Sequence, residues 1–240
     1  AGRKRGSLRR LTAAATGAYR GRFSVGRPVP ARQHPAMLPR LIVTVIALLP
    51  LSAALRAAEP AWEQLFTQDG PPPGWVVRSW EDVANPPPPR TEWRVRNGIL
   101  IGSDPRGTWL VSEREVDEFL LEFEFRLGER GNSGVGLRVP AAGDPAFDAL
   151  EIQLVDPRYF GEGAVTPPEH VTGAVYGALP PAEQVFQPQA WNTARIELRG
   201  PQLKVTINGK TVQDVNLDEH KAKLPRGAPL AERPRRGRIA

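Results

Sequence analysis

Between Phe119 and Leu127 the chain alternates in character: Phe119, Leu121, Phe123, Phe125 and Leu127 share one parity, and Leu120, Glu122, Glu124 and Arg126 the other. Successive strand side chains point to opposite faces, so this period of two predicts a half-buried antiparallel strand. Residues 195–199 and 203–207 alternate in the same way around Gly200-Pro201, and Asn208-Gly209 then leads into 211–215. Asn-Gly accepts the positive φ of a two-residue turn, which predicts a tight hairpin there. Further strands are expected over 93–101, 109–112, 133–139, 149–155 and 173–176, with proline runs at 71–73 and 86–89 marking loops. No long helical period and no internal repeat interrupts them. Strands without helices bury their apolar faces against one another, so the pattern predicts an all-β, two-sheet antiparallel sandwich.

Composition agrees, with 26 Pro and 23 Gly among 240 residues suiting many turns. The absence of cysteine excludes a disulfide framework, a thiol nucleophile, Cys-ligated zinc, an iron–sulfur cluster and a lipid anchor on an N-terminal Cys. Net charge is +6, but its distribution removes the nucleic-acid reading that a basic chain invites. Residues 1–58 hold eleven basic residues and no acid, whereas 59–220 hold 14 basic and 25 acidic ones. A block with a net charge of −11 repels phosphate backbones, so no nucleic-acid partner is expected.

The one methionine, Met37, precedes Arg40, an apolar run over 41–55 and small residues at 53–58. This is the layout of a secretory signal. The run is broken by Pro50 and falls short of the roughly 20 residues that span a bilayer, so no stable membrane anchor is expected. The expected organisation is an upstream, disordered segment 1–36, a signal peptide 37–58 and a sandwich domain 59–240, secreted or periplasmic.

The candidate chemistry lies on two central strands. In 132–138, alternation places Val135 and Leu137 toward the core and Gly134, Gly136 and Arg138 on the open face, where a ligand could lie against bare backbone beside a forked donor. In 151–156, Ile152 and Leu154 face the core while Glu151 and Gln153 face outward, an acid beside an amide. The glucanases of glycoside hydrolase family 16 carry three acids at alternate positions of such a strand. The matching positions here are Glu151, Gln153 and Val155, so one acid remains and a two-carboxylate retaining mechanism is unsupported.

Asn132-Ser133-Gly134 with Arg138, Glu151-x-Gln153 with Asp156, Thr172-Gly173-Ala174-x-Tyr176-Gly177, Trp191-Asn192-x-x-Arg195 and Asn208-Gly209 together resemble the 3-keto-disaccharide hydrolase family. Its members are concanavalin-like jelly rolls of secreted bacterial proteins, and the resemblance covers roughly residues 62–240. It implies a sugar oxidised to a ketone at C3, cleaved by C2 proton abstraction and elimination or hydration. Carried onto this chain, the resemblance implies Glu151 or His170 as base or acid, Arg138 and Gln153 on the ketone or enolate oxygen, and Tyr176 and Asn132 on hydroxyls, with Asp156 a further substrate contact. Trp75, Trp80 and Trp109 are stacking candidates if their loops reach the concave face. Family members continue beyond Gly237-x-Ile239 with Gln-x-His and a last strand ending Arg-Asn-Ile, so the jelly roll is expected to lack that strand through C-terminal truncation. No cofactor is implied. A structural calcium would suit a lectin-like sandwich, although no loop has an EF-type ligand spacing, and two histidines after residue 58 cannot build a three-His zinc site. The alternative function is a non-catalytic, lectin-like carbohydrate-binding module on the same scaffold.

Overall fold

The computed structural model describes residues 17–24, 62–102, 107–161 and 163–240. The expected signal peptide lies outside them. In chain order the strands are β1 (Gly17–Ser24), β2 (Glu63–Gln64), β3 (Trp75–Ser79), β4 (Arg94–Arg96), β5 (Ile99–Ile101), β6 (Thr108–Ser112) and β7 (Glu115–Val116). They continue with β8 (Phe119–Leu127), β9 (Asn132–Leu137), β10 (Leu150–Val155), β11 (Asn192–Arg199), β12 (Gln202–Ile207), β13 (Lys210–Asn216) and β14 (Gly237–Arg238), with one short helix, α1 (Pro145–Asp148), before β10.

The alternation along β8 organises the larger sheet, ordered β13-β12-β11-β8-β1-β5-β4, with β2 also on β1. Leu121 and Phe125 of β8, Ile196 and Leu198 of β11, and Leu203 and Ile207 of β12 point into one core. On the opposite parity Leu120 is buried, whereas Glu122 and Glu124 face outward and pair with Arg22, Arg195 and Arg20. Such exposed pairs contribute little to stability. The burial of apolar side chains holds the layers together. Asn208 and Gly209 take φ of 49° and 78° in the β12–β13 hairpin, as their sequence demands.

The second layer grows from the antiparallel pair β9–β10, whose Leu137, Ile152 and Leu154 close the core from the other side. Its two edges are extended by short segments. On one, the Tyr176 amide donates to Glu151 O at 2.9 Å and the Gly173 amide to Gln153 O at 2.9 Å. On the other, Gly136 and Ala240 exchange amide hydrogen bonds at 2.7 and 2.9 Å, and Ser112 donates to Ile239 O at 2.8 Å. The C-terminal residues thus join β9 to the β3–β6 pair. The result is the expected antiparallel sandwich of two layers. Among the described residues no helix is long and apolar enough to cross a membrane.

Two elements differ from the sequence expectation. Residues 93–101 are two strands, β4 and β5, because Asn97-Gly98 takes φ of 51° and 70°, the same turn chemistry as Asn208-Gly209. Residues 17–24, expected to be upstream and disordered, form β1 between β8 and β5. Their own alternation explains it: Phe23 is buried and Tyr19 half-buried, Arg20 and Arg22 face solvent, and Gly21 sits where a Cβ would lie 2.6 Å from Phe123 Cβ. Cleavage at the expected signal would separate β1 from the rest of the sheet.

Candidate active site

A cavity of about 360 Å³ opens between β9–β10 and the loops leading into β3 and β6. Its polar wall comes from neighbouring register positions. Gln153 stands opposite Gly134, and Glu151 opposite Gly136. The Glu151 side chain leans across Gly134, so that a Cβ there would lie 2.7 Å from its Cγ and Cδ and clash with Oε1. The bare glycine therefore makes room for the carboxylate. Glu151 is 7% and Gln153 2% exposed, low values for the outward parity of a strand, because this face is roofed by the cavity's other walls. Gln153 Oε1 accepts from the Leu154 amide at 3.2 Å, which leaves its amide nitrogen the donor on this wall. Asn132 and Tyr176 also line the cavity.

Trp75, Trp80, Trp93 and Trp109 line the facing side; the stacking candidates do reach it, Trp75 and Trp109 from strands β3 and β6 rather than from loops. Tyr19 of β1 adds its ring, stacked on Trp93 with centroids 6.4 Å apart, and its hydroxyl donates to Ser133 Oγ at 2.6 Å. Burial pushes the Tyr19 phenol up to about 12, so it remains a donor across the working range. Along the rim, His170 stacks on Tyr176 at 4.7 Å, Tyr176 meets Phe147 edge-on at 5.8 Å, and Arg226 lies over Phe147 at 3.8 Å. Arg226 also pairs at 3.2 Å with Asp144, the N-cap of α1. Burial nevertheless raises the Asp144 carboxyl above its ordinary value.

Three expected site residues are placed elsewhere. Arg138 does not share the face of Gly134, because its own φ is 57°, which ends the strand and cancels the parity rule. Its guanidinium is buried and donates to Asp117 O through Nε and Nη2 at 3.0 and 2.8 Å, and to Gly200 O through Nη2 at 2.7 Å. Burial, reinforced by Arg235, pulls its pKa down to about 10. Arg138 is a strap between loops, away from the cavity. Arg138→Met should therefore lower stability by about 1–3 kcal/mol, the cost of leaving buried carbonyls unpaired, while the folded fraction keeps its sugar affinity; thermal denaturation and calorimetric binding check this.

Asp156 is likewise outside the cavity. Its carboxylate accepts from the Arg158 amide at 3.0 Å and pairs with the Arg158 guanidinium, capping the turn Pro157–Phe160. The Arg158 side chain holds the Asp156 carboxyl below its ordinary value. A depressed carboxylate stabilises the fold above its unfolded pKa and loses that contribution as pH falls through the folded one. Asp156→Ala should cost about 1 kcal/mol at pH 7, as lost caps do. The variant should also lose less stability than the parent between about pH 5 and pH 2, measured by urea unfolding across pH. His170 lies in the turn Pro168–His170 and touches the site through Tyr176 rather than lining it. Gly136 is covered by Val139, Pro145 and Ala240.

Conversely, Asp144, Phe147 and Arg226 line the cavity without having been singled out. Their one local signal, Asp-Pro at a helix start, reads as capping. Among the described residues no group of three or more His, Asp or Glu stands together as a metal site. The wall can bind a polyol through amides and hydroxyls, and can move one proton at Glu151.

Solved structures share the architecture. One, a protein from Parabacteroides distasonis provisionally described as a glycosyl hydrolase, aligns at a TM-score of 0.56 and 23% identity over 68% of this chain and 88% of its own. A second from the same organism, described alike, aligns at 0.53 and 19% over 69% and 80%. No curated protein matches the chain. Residues 61–240 match the family described as the 3-keto-alpha-glucoside-1,2-lyase-like domain, and the chain belongs to that family.

Proposed function

We propose that the domain cleaves the glycosidic bond of 3-keto-glycosides, 3-keto-disaccharides among them, with Glu151 as the base. The ketone at C3 acidifies the C2 hydrogen. Glu151 takes that proton, the Gln153 amide donates to the enolate oxygen, and the electron pair returns to expel the oxygen on C1. The departing oxygen takes up the proton that Glu151 received, leaving a C1–C2 double bond to which water adds, hydroxyl on C1 and hydrogen on C2, so that the net change is hydrolysis. Asn132 and Tyr176 hold ring hydroxyls, and His170 keeps the Tyr176 ring in place. Arg138 has no part in this scheme, so the amide of Gln153 carries the oxyanion role the guanidinium was expected to share.

The observation that carries the reading is the Glu151 carboxylate laid over Gly134 beside Gln153, on a wall facing the indoles of Trp75, Trp80, Trp93 and Trp109. Family membership supports it. A 3-keto-glucoside deuterated at C2 should turn over more slowly than the protiated sugar, by a primary isotope effect on kcat. Turnover without any such effect, and with the C2 deuterium retained in the product, means direct hydrolysis. Saturable glycan binding without turnover of any 3-keto-glycoside means a lectin-like module.

A further inference from the structure

We infer that the cavity takes 3-keto-glycosides whose aglycone is an aromatic ring, in preference to a second sugar; this rests on the reading of Glu151 given above. The two walls differ in what they offer a ligand. Glu151, Gln153 and Asn132 present polar groups on β9–β10. The wall opposite is made by Tyr19, Phe66, Trp75, Trp93, Leu100 and Leu110, which pack into one apolar cluster.

Two of the three polar side-chain groups in that cluster are already used, and the third is the Trp75 indole N–H. The Tyr19 hydroxyl donates to Ser133, and Trp93 Nε1 donates to Thr108 Oγ1 at 2.9 Å. Trp109 Nε1 has no hydrogen-bond partner, but it is buried out of solvent contact and so is sealed from a ligand. A second hexose against this wall would bury several hydroxyls against one indole N–H, and buried polar groups without partners are costly. An aromatic ring brings no such groups and gains offset or edge-to-face contacts with indoles, like those that Phe66 and Trp75 make at 5.3 Å and 49°. A volume of about 360 Å³ lies near the small end of ligand cavities, enough for one sugar ring and one aromatic ring.

The test is calorimetric titration of the full chain with benzyl α- and β-glucoside against maltose and cellobiose, none of which can be turned over by C2 abstraction. An apolar pocket discriminates against added hydroxyls by about 10²-fold, so one benzyl anomer should bind about 10²-fold more tightly than the disaccharide of the same linkage. Trp75→Ala should bring that ratio close to one, and the parent comparison decides alone if the variant does not fold. A disaccharide that binds as well as, or better than, either benzyl glucoside overturns the inference.

Turnover separates it from the reading beneath. Benzyl alcohol is a poorer leaving group than a sugar hydroxyl, so faster cleavage of benzyl 3-keto-glucoside than of 3-keto-cellobiose or 3-keto-maltose reflects the pocket and supports the inference. Equal cleavage of both overturns the aromatic preference and leaves the function standing. Tight benzyl glucoside binding without cleavage of any keto-sugar overturns the function and leaves the aromatic wall standing.

Discussion

Replacing Glu151 by glutamine should lower kcat on a 3-keto-glycoside by about 10²–10⁴-fold, the usual contribution of a positioned base, with KM near that of the parent. Glutamine has the same length and nearly the same shape, so it can lie over Gly134 as the carboxylate does and keep the wall's packing. It cannot accept the C2 proton. The loss corresponds to about 2.7–5.4 kcal/mol of transition-state stabilisation. An equal fall in kcat and kcat/KM marks an interaction made in the transition state only. Steady-state kinetics with calorimetric binding of the unoxidised glycoside separates the two quantities. If Glu151→Gln keeps kcat within tenfold of the parent, the proton is taken by another group, and Asp144, the other side-chain carboxylate lining the cavity among the described residues, is the next to replace.

What the residue pattern could reveal here was set by how far the backbone stays extended. Along β8 and β10 every residue keeps strand geometry, and parity placed Leu121, Ile152, Glu151 and Gln153 on their observed faces. At Arg138 the chain turns to positive φ, and the same rule put a buried strap in the site. Asn208-Gly209 was legible as a hairpin because two clean strands flank it. The identical Asn97-Gly98 was not, since β4 and β5 are three residues each and too short to show a period. The alternation of β1 was masked by the arginines that its solvent face carries. The cavity itself could not be read. Trp75, Trp93 and Trp109 converge with Asp144 and Arg226 only through pairings between segments far apart in the chain. His170 and Tyr176 are six residues apart, and their stacking closes a turn that passes through Gly173 at a φ of 89°, a path that no period in the sequence marks.

The two glycines of β9 should separate site from scaffold. Gly134→Ala places a methyl 2.7 Å from Glu151 Cγ and Cδ, contacts with the far part of a flexible side chain. The backbone can stay while the carboxylate moves. A misplacement of about 1 Å in a reacting group costs on the order of 10²-fold, so kcat should fall by about that factor with little change in Tm. Gly136→Ala instead meets Val139 Cγ2 at 2.8 Å and Ala240 Cβ at 3.2 Å, the packing that joins the C-terminal residues to β9. Overpacking of that kind costs about 1–3 kcal/mol, so Tm should drop while the folded protein retains its kcat. Thermal denaturation and kinetics on both variants test the contrast. Were Gly134→Ala to leave kcat unchanged, the position of the Glu151 carboxylate over that glycine would have no bearing on the chemistry, and the base would have to be sought elsewhere in the cavity.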